Sequence, residues 1–236
     1  MFPLIYLPES LHSTNEVILK YHNENTPNFG LYTFHQINGK GQYGSKWITE
    51  KNQNLAYSLL IQKKNITTPS SLFNFHTAMI VRDFLANLTK KNISVKWPND
   101  IIINRKKVSG ILIEQVKIQQ EFYYIIGIGI NILQEKFDDL SKAGSLYTQT
   151  LQRFSLTEFT EKFHSYFSEN ITKSEDDILD KYNDILFGKN QVSLFSKNGI
   201  RQNGIIQYVD KDGFLWIDLE KDGVQKFFHK EIEMLF

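Results

Sequence analysis

Apolar residues recur along most of the chain with two different periods. Leu72, Phe75, Ala78, Val81, Leu85 and Leu88 fall three or four apart, which predicts a core-facing helix. Leu31 to Ile37 alternates and Asn54 to Ile61 reads as a strand. Ser94 to Trp97, Ile101 to Asn104, Val108 to Gln115 and Phe122 to Ile132 are rich in β-branched and aromatic residues. Short polar turns, Pro98-Asn99-Asp100 and Arg105-Lys106-Lys107, separate these last runs, so the sheet is antiparallel or mixed. Phe159, Phe163, Tyr166 or Phe167, and Ile171 predict another helix, and Ser174-Glu175-Asp176-Asp177 is an acidic start for one running to about Leu186. Near the beginning, Ser13-Thr14-Asn15-Glu16 has the S-x-x-E spacing of a capping box, which predicts a short helix through about Tyr21.

From Asn190 the texture changes. Asn198-Gly199, Asn203-Gly204, Asp212-Gly213 and Asp222-Gly223 punctuate short strands, the spacing of a small all-β barrel. The division predicted is an α+β domain with a mixed sheet over residues 1–186 and a barrel over residues 187–236. Two segments have no period. Asn38 to Gly44 carries glycine at 39, 41 and 44 and reads as a mobile loop, and Asp138, Asp139, Lys142 and Gly144 interrupt Gln134 to Leu146.

Composition narrows the functional classes. Hydrophobic residues at 41% and charged residues at 22% over 236 positions describe a soluble globular protein. Lys and Arg number 27 against 26 Asp and Glu, so no bulk charge marks nucleic acid or an acidic membrane as the partner. Only Arg82, Arg105, Arg153 and Arg201 are arginines, which makes an arginine clamp on phosphate hard to build. The absence of cysteine excludes disulfides, thiolate zinc sites and cysteine nucleophiles and suits a reducing, cytoplasmic setting. The start MFPLIYLPES has no basic leader, and no run reaches the ~18 apolar residues of a membrane span. The six histidines lack metal-ligand spacing, so no bound transition metal is expected.

Three clusters break the rules for stable structure. In His35 to Trp47, glycine frees backbone amides around Lys40, a combination that suits an anion, although a flexible hairpin connection explains the same glycines. Lys96-Trp97-Pro98-Asn99-Asp100 pins Asn99 and Asp100 behind a proline; Lys107 then heads Val108-Ser109-Gly110-Ile111-Leu112-Ile113-Glu114, where Gly110 lets a ligand approach the backbone. Gly127-Ile128-Gly129-Ile130-Asn131 places two glycines inside an apolar strand, which close strand packing would also explain.

In order and spacing these clusters, with Ser13-Thr14-Asn15, resemble biotin protein ligases: S-T-N, G-[RK]-G-x-x-G-x-x-W, K-W-P-N-D, K-[VI]-x-G-I-L-[IV]-E and G-x-G-x-N, over roughly Ser13 to Asn131. The resemblance implies a class II synthetase-like catalytic domain followed by an SH3-like barrel. It implies ATP-dependent activation of biotin as biotinyl-5′-AMP, with Mg²⁺ carried in on ATP, and transfer to a lysine of a biotin carboxyl carrier domain. By the same resemblance, Lys107 bridges the biotin carboxylate and the α-phosphate, Lys40 assists from the loop, and Asp100 orients the acceptor ammonium. Ser13, Thr14, Asn15, Gln36, Gly39, Gly41, Gln42 and Gly110 join Lys107 around biotin; Lys40, Gln42, Trp47 and Asn131 face the nucleotide. Many relatives carry arginine at both polar loop positions, where this chain has Lys40 and Gln42.

Two other readings stand beside this one. A lipoate ligase or octanoyltransferase would carry a different arginine-rich and glycine-histidine signature. A biotin-responsive repressor needs a helix-turn-helix ahead of the S-T-N motif, and the 12 residues before Ser13 cannot hold one, so DNA is not an expected partner. No membrane partner is expected, and an edge strand of the catalytic domain leaves a homodimer possible.

Overall fold

The computed structural model describes residues 2–138, 140–173 and 176–235. Asp139, Ser174 and Glu175, invoked above for a loop and a helix start, lie outside them. In chain order the first nine strands are β1 (Leu4–Tyr6), β2 (Phe29–Thr33), β3 (Gly39–Lys40), β4 (Lys46–Trp47), β5 (Asn54–Gln62), β6 (Ser94–Lys96), β7 (Asp100–Ile103), β8 (Lys106–Ile118) and β9 (Glu121–Asn131). The helices are α1 (Thr14–Val17), α2 (Phe73–Thr89), α3 (Leu146–Thr150), α4 (Leu156–Asn170) and α5 (Ile178–Asp184). The last five strands are β10 (Val192–Lys197), β11 (Ile200–Val209), β12 (Leu215–Leu219), β13 (Gly223–Phe227) and β14 (Glu233–Leu235).

Seven strands form a mixed sheet in the order β1-β2-β5-β9-β8-β7-β6. Only β1 is parallel to its neighbour. Alternation along the strands sorts side chains between two faces. Leu55, Tyr57, Leu59 and Ile61 of β5 with Ile126, Ile128 and Ile130 of β9 face the large core under α2 and α4. Leu60 and Ile125 face the other way and join Ile18, just beyond α1, in a small second cluster. Phe75, Ala78, Val81 and Leu85 of α2, and Phe159, Phe163 and Phe167 of α4, are all buried, as their spacing requires.

Several elements depart from the pattern along the sequence. The run from Leu31 forms a strand only to Thr33; its second half turns to pair with Leu11, whose carbonyl accepts from Ile37 N. The glycine-rich segment is not wholly irregular, because β3 and β4 pair antiparallel around it, Gly39 opposite Trp47 and Lys40 opposite Lys46. The capping box does not form: Ser13 makes no side-chain cap, and the Glu16 amide bonds the Ser13 carbonyl instead.

The C-terminal strands make an antiparallel sheet in the order β13-β12-β11-β10-β14. The barrel expected here is not closed: among the described residues β13 and β14 do not pair. After Phe227 the chain swings away toward the first sheet before β14 returns to pair with β10, and that detour keeps the edges apart. Asn183 of α5 exchanges two hydrogen bonds with the Val209 backbone, and Trp97 Nε1 donates to Gly213 O at 3.2 Å, seating this sheet on the first. No helix among the described residues is long and apolar enough to cross a membrane.

Candidate active site

The site begins as a trough in the face of the sheet that carries α1. Residues two apart on one strand share a face, and register aligns them across strands. One row reads Ala56, Gly129, Gly110; the next reads Ser58, Gly127, Leu112; the third reads Leu60, Ile125, Glu114. The first two rows are small at most positions, so side chains from elsewhere lie directly on the strands. A β-carbon on Gly129 would stand 2.3 Å from the Trp47 indole, and one on Gly127 would stand 2.4 Å from Asn15 Oδ1. The two glycines therefore serve neither a turn nor strand-on-strand packing; they admit Trp47 and Asn15.

At one end of the trough Ser13, Thr14 and Asn15 are buried and linked by polar contacts. Thr14 N donates to Gln36 Oε1 at 2.8 Å. Ser58 Oγ lies 2.8 Å from Thr14 Oγ1 and donates to Asn15 Oδ1 at 2.5 Å, while Asn15 Nδ2 donates to Glu114 Oε2 at 2.7 Å. A polar set this connected holds its members in one arrangement, because each lost partner leaves a buried group unpaired. With the cap unmade, the Ser13 side chain lines the cavity.

The other end is cationic. Lys107 Nζ lies 2.6 Å from Asp100 Oδ1 and sits over the Trp47 ring, 5.6 Å from its centroid. Its backbone is pinned, since Lys107 N donates to Lys142 O at 2.8 Å and Lys107 O accepts from Gly144 N at 3.0 Å. Asn99 Nδ2 donates to Ile111 O at 2.9 Å and braces the turn that presents Asp100. Lys96 opens on the same cavity, and burial pushes its ammonium below the usual lysine range against the pull of Asp100. Lys40 is ion-paired with Glu16, and this contact raises its pKa. From the segment between β13 and β14, His229 and Lys230 complete the wall. Burial first, and then Lys96, hold the His229 imidazole below its ordinary value, so it is uncharged near neutral pH.

The cavity has a volume of about 590 Å³. Ser13, Thr14, Asn15, Gln36, Lys40, Gly41, Gln42, Trp47, Asp100, Lys107 and Gly110 all line it. Two residues singled out in the sequence do not. Gly39 is wedged where a β-carbon would meet Gln36 Nε2 at 2.4 Å, and Asn131 is buried at the end of β9 with Nδ2 donating to Gly144 O at 3.0 Å. Ser58 and Glu114 were missed as network members. A serine inside the apolar run Leu55 to Ile61 is the signal that marks the first, and Glu114 closes the Lys107 to Glu114 motif. Nothing in the sequence pointed to His229 or Lys230. No group of three His, Cys, Asp or Glu side chains among the described residues is arranged to hold a metal ion.

A trough with a polar network at one end and lysines at the other can hold a small molecule by its neutral head and neutralise an anion at its tail. A family model described as the biotin/lipoate A/B protein ligase family matches residues 7–131. The bifunctional ligase/repressor BirA of Escherichia coli is 23% identical over 233 residues, covering 92% of this chain and 69% of that protein. Its Bacillus subtilis counterpart is 31% identical over 137 residues, covering 57% of this chain and 42% of that protein. The solved structure of a biotin protein ligase from Aquifex aeolicus in complex with biotin and ATP superposes with a TM-score of 0.79 at 26% identity, covering 100% of this chain and 99% of that one.

Proposed function

The chain belongs to the biotin/lipoate A/B protein ligase family, and we propose that it is an ATP-dependent biotin–protein ligase, which joins biotin to a lysine of a biotin carboxyl carrier domain through biotinyl-5′-AMP. The observation that carries this reading is the pairing of the buried Thr14, Asn15, Gln36 and Ser58 network with Lys107 and Asp100 at opposite ends of one trough. The polar network suits the ureido head of biotin, and the glycine-floored trough suits its ring and chain.

In the first step a carboxylate oxygen of biotin attacks the α-phosphorus of ATP and pyrophosphate leaves. Two anions must meet, so cations are needed between them. Lys107 takes that place, and Lys40 reaches the phosphates by exchanging Glu16 for them. Mg²⁺ arrives on ATP as part of the substrate. Gly41 and Gln42 bound the carboxylate side, and Trp47 covers the trough. Asn131 acts at one remove, by holding the segment around Gly144 that pins Lys107.

In the second step the acceptor lysine attacks the acyl carbon, the bond from that carbon to the phosphate oxygen breaks, and AMP departs. A free lysine has a pKa of about 10.4, so it arrives as an ammonium and must lose a proton before attack and another as the amide forms. Asp100 orients that ammonium and accepts its hydrogen bond while the proton passes to solvent. The division of labour proposed along the chain is a catalytic part through residue 186 and an appended β part from residue 187.

Incubation with Mg²⁺, ATP, biotin and a biotin carboxyl carrier domain, followed by intact mass, tests the reading. The carrier should gain one biotinyl group; an unchanged carrier mass overturns the proposal. Replacing biotin and carrier by lipoic acid and a lipoyl domain should give no product, and efficient lipoylation would move the protein to the other branch of its family.

A further inference from the structure

The loop that carries Lys40 is held at its apex by residues 187 positions away in sequence. The turn between β3 and β4 is stiffened from within, since Gly41 N donates to Ser45 O at 2.7 Å and Ser45 N to Gln42 O at 3.2 Å. At its tip Tyr43 has a φ of 54°, a left-handed conformation that a bulky residue keeps only when its surroundings hold it there. Its surroundings are the chain after β13. The Tyr43 and His229 ring centroids are 4.9 Å apart, Lys230 Nζ lies 4.7 Å from the Tyr43 centroid, and the same ammonium donates to Tyr43 O at 3.3 Å. His229 in turn stands edge-on to Trp97 at 5.7 Å, so the contact runs from the loop through the C-terminal turn to the turn between β6 and β7.

The loop's other tether is the pair between Lys40 and Glu16. Under the proposed chemistry that pair breaks when Lys40 moves to the phosphates. The apex contact does not involve Lys40, so loss of the Lys40–Glu16 pair leaves it standing.

We propose that Lys230 and His229 are positioning residues, which strap Tyr43 and so keep the β3–β4 loop closed over bound biotinyl-AMP. This rests on the biotin-activating reading above. The contacts define which variants matter. The Tyr43 ring and carbonyl are used and its hydroxyl is not, so Tyr43→Phe keeps the strap and Tyr43→Ala removes it. Lys230→Arg keeps a cation over the ring, and Lys230→Ala does not.

Two measurements on the full chain test the strap. Hydrogen exchange of the ligand-free protein should show faster exchange at the Gly41 and Ser45 amides in Lys230→Ala and Tyr43→Ala, with Lys230→Arg and Tyr43→Phe like wild type. Chase of preformed biotinyl-AMP should show dissociation roughly two- to five-fold faster in the two alanine variants, the size expected for one exposed cation–π contact. The Tyr43→Ala/Lys230→Ala double variant should be no faster than either single one. Maximal biotin-dependent pyrophosphate exchange should change less than the dissociation rate, a split that general unfolding would not produce. Wild-type exchange and wild-type retention in Lys230→Ala overturn the strap, as does a Tyr43→Phe variant that leaks like Tyr43→Ala. A wild-type protein that makes no biotinyl-AMP overturns the functional reading instead, and the exchange data on the free protein then judge the loop contact by themselves.

Discussion

Lys107 Nζ and Asp100 Oδ1 stand 2.6 Å apart, on adjacent strands whose register sets Ile102 opposite Lys107. The cation assigned to the first step and the carboxylate assigned to the second are partners before any substrate arrives. Lys107→Ala should lower biotin-dependent pyrophosphate exchange by roughly a hundred-fold or more, the usual scale for losing one preorganised charge at the reacting group. Asp100→Asn should keep most of that exchange and lose transfer from preformed adenylate to the carrier. Near-normal exchange in Lys107→Ala would show that another lysine of the cavity does its work.

Gln42 lines the cavity without a charge. An arginine there would add a charge-assisted hydrogen bond to the adenylate, so Gln42→Arg should slow biotinyl-AMP dissociation by on the order of ten-fold. The wild-type protein should release it faster than a ligase with arginines at both loop positions. A stopped-flow comparison giving equal rates, or a slower one here, refutes this.

The two trough glycines should fail in different ways. Gly129→Ala displaces the Trp47 indole, which a β-carbon would meet at 2.3 Å, and should speed loss of adenylate. Gly127→Ala drives Asn15 off its place, 2.4 Å from that β-carbon, and should raise KM for biotin by roughly ten-fold or more with a smaller change in kcat. Equal effects on KM and kcat in both variants would argue for general disruption.

His164 gives the chain a pH-dependent stability. Its Nε2 lies 2.8 Å from Phe2 O, which can only accept, so Nε2 carries the proton and Nδ1 accepts from Tyr57 OH at 2.9 Å. Burial holds the imidazole below its ordinary value near 6.5, so the unfolded chain takes up a proton that the folded chain refuses. Stability from this source is complete above about pH 6.5 and is lost as pH falls through that value. Urea midpoints at pH 7.5 and 5.5 should show the loss, and His164→Gln should shrink the difference between them.

The strands and long helices were legible because their apolar periods are long and unbroken, as in Phe75 to Leu85 and Asn54 to Ile61. The trough was half legible. Gly127 and Gly129 sit two apart, which puts both on one face of a strand, but only the register of β5, β9 and β8 shows Ala56 and Ser58 beside them. Glu16 was misread for a physical reason: a carboxylate three residues into a helix satisfies either the backbone or a nearby cation, and spacing cannot tell which. Lys40 is distant in sequence and won the competition. The absence of a closed barrel was illegible for a similar reason. Asn-Gly and Asp-Gly turns mark where strands end, whereas Phe228 to Ile232 leave the sheet to meet Tyr43 and Trp97, a contact with no local signature.

The three tryptophans are not alike in their anchoring. Trp97 Nε1 donates to Gly213 O and Trp216 Nε1 to Asp210 Oδ2, but Trp47 Nε1 is buried in the trough with no hydrogen-bond partner among the described residues. Two indoles are thus fastened to backbone or carboxylate, and the third rests on glycines with a lysine ammonium over its ring. Occupancy of the trough must change the surroundings of Trp47 directly; Trp97 shares the cavity wall but is held by its hydrogen bond, and Trp216 is not part of that wall. The protein therefore carries a native optical gauge: its emission reports the filling of one cavity, with no label attached, against the steady background of Trp216.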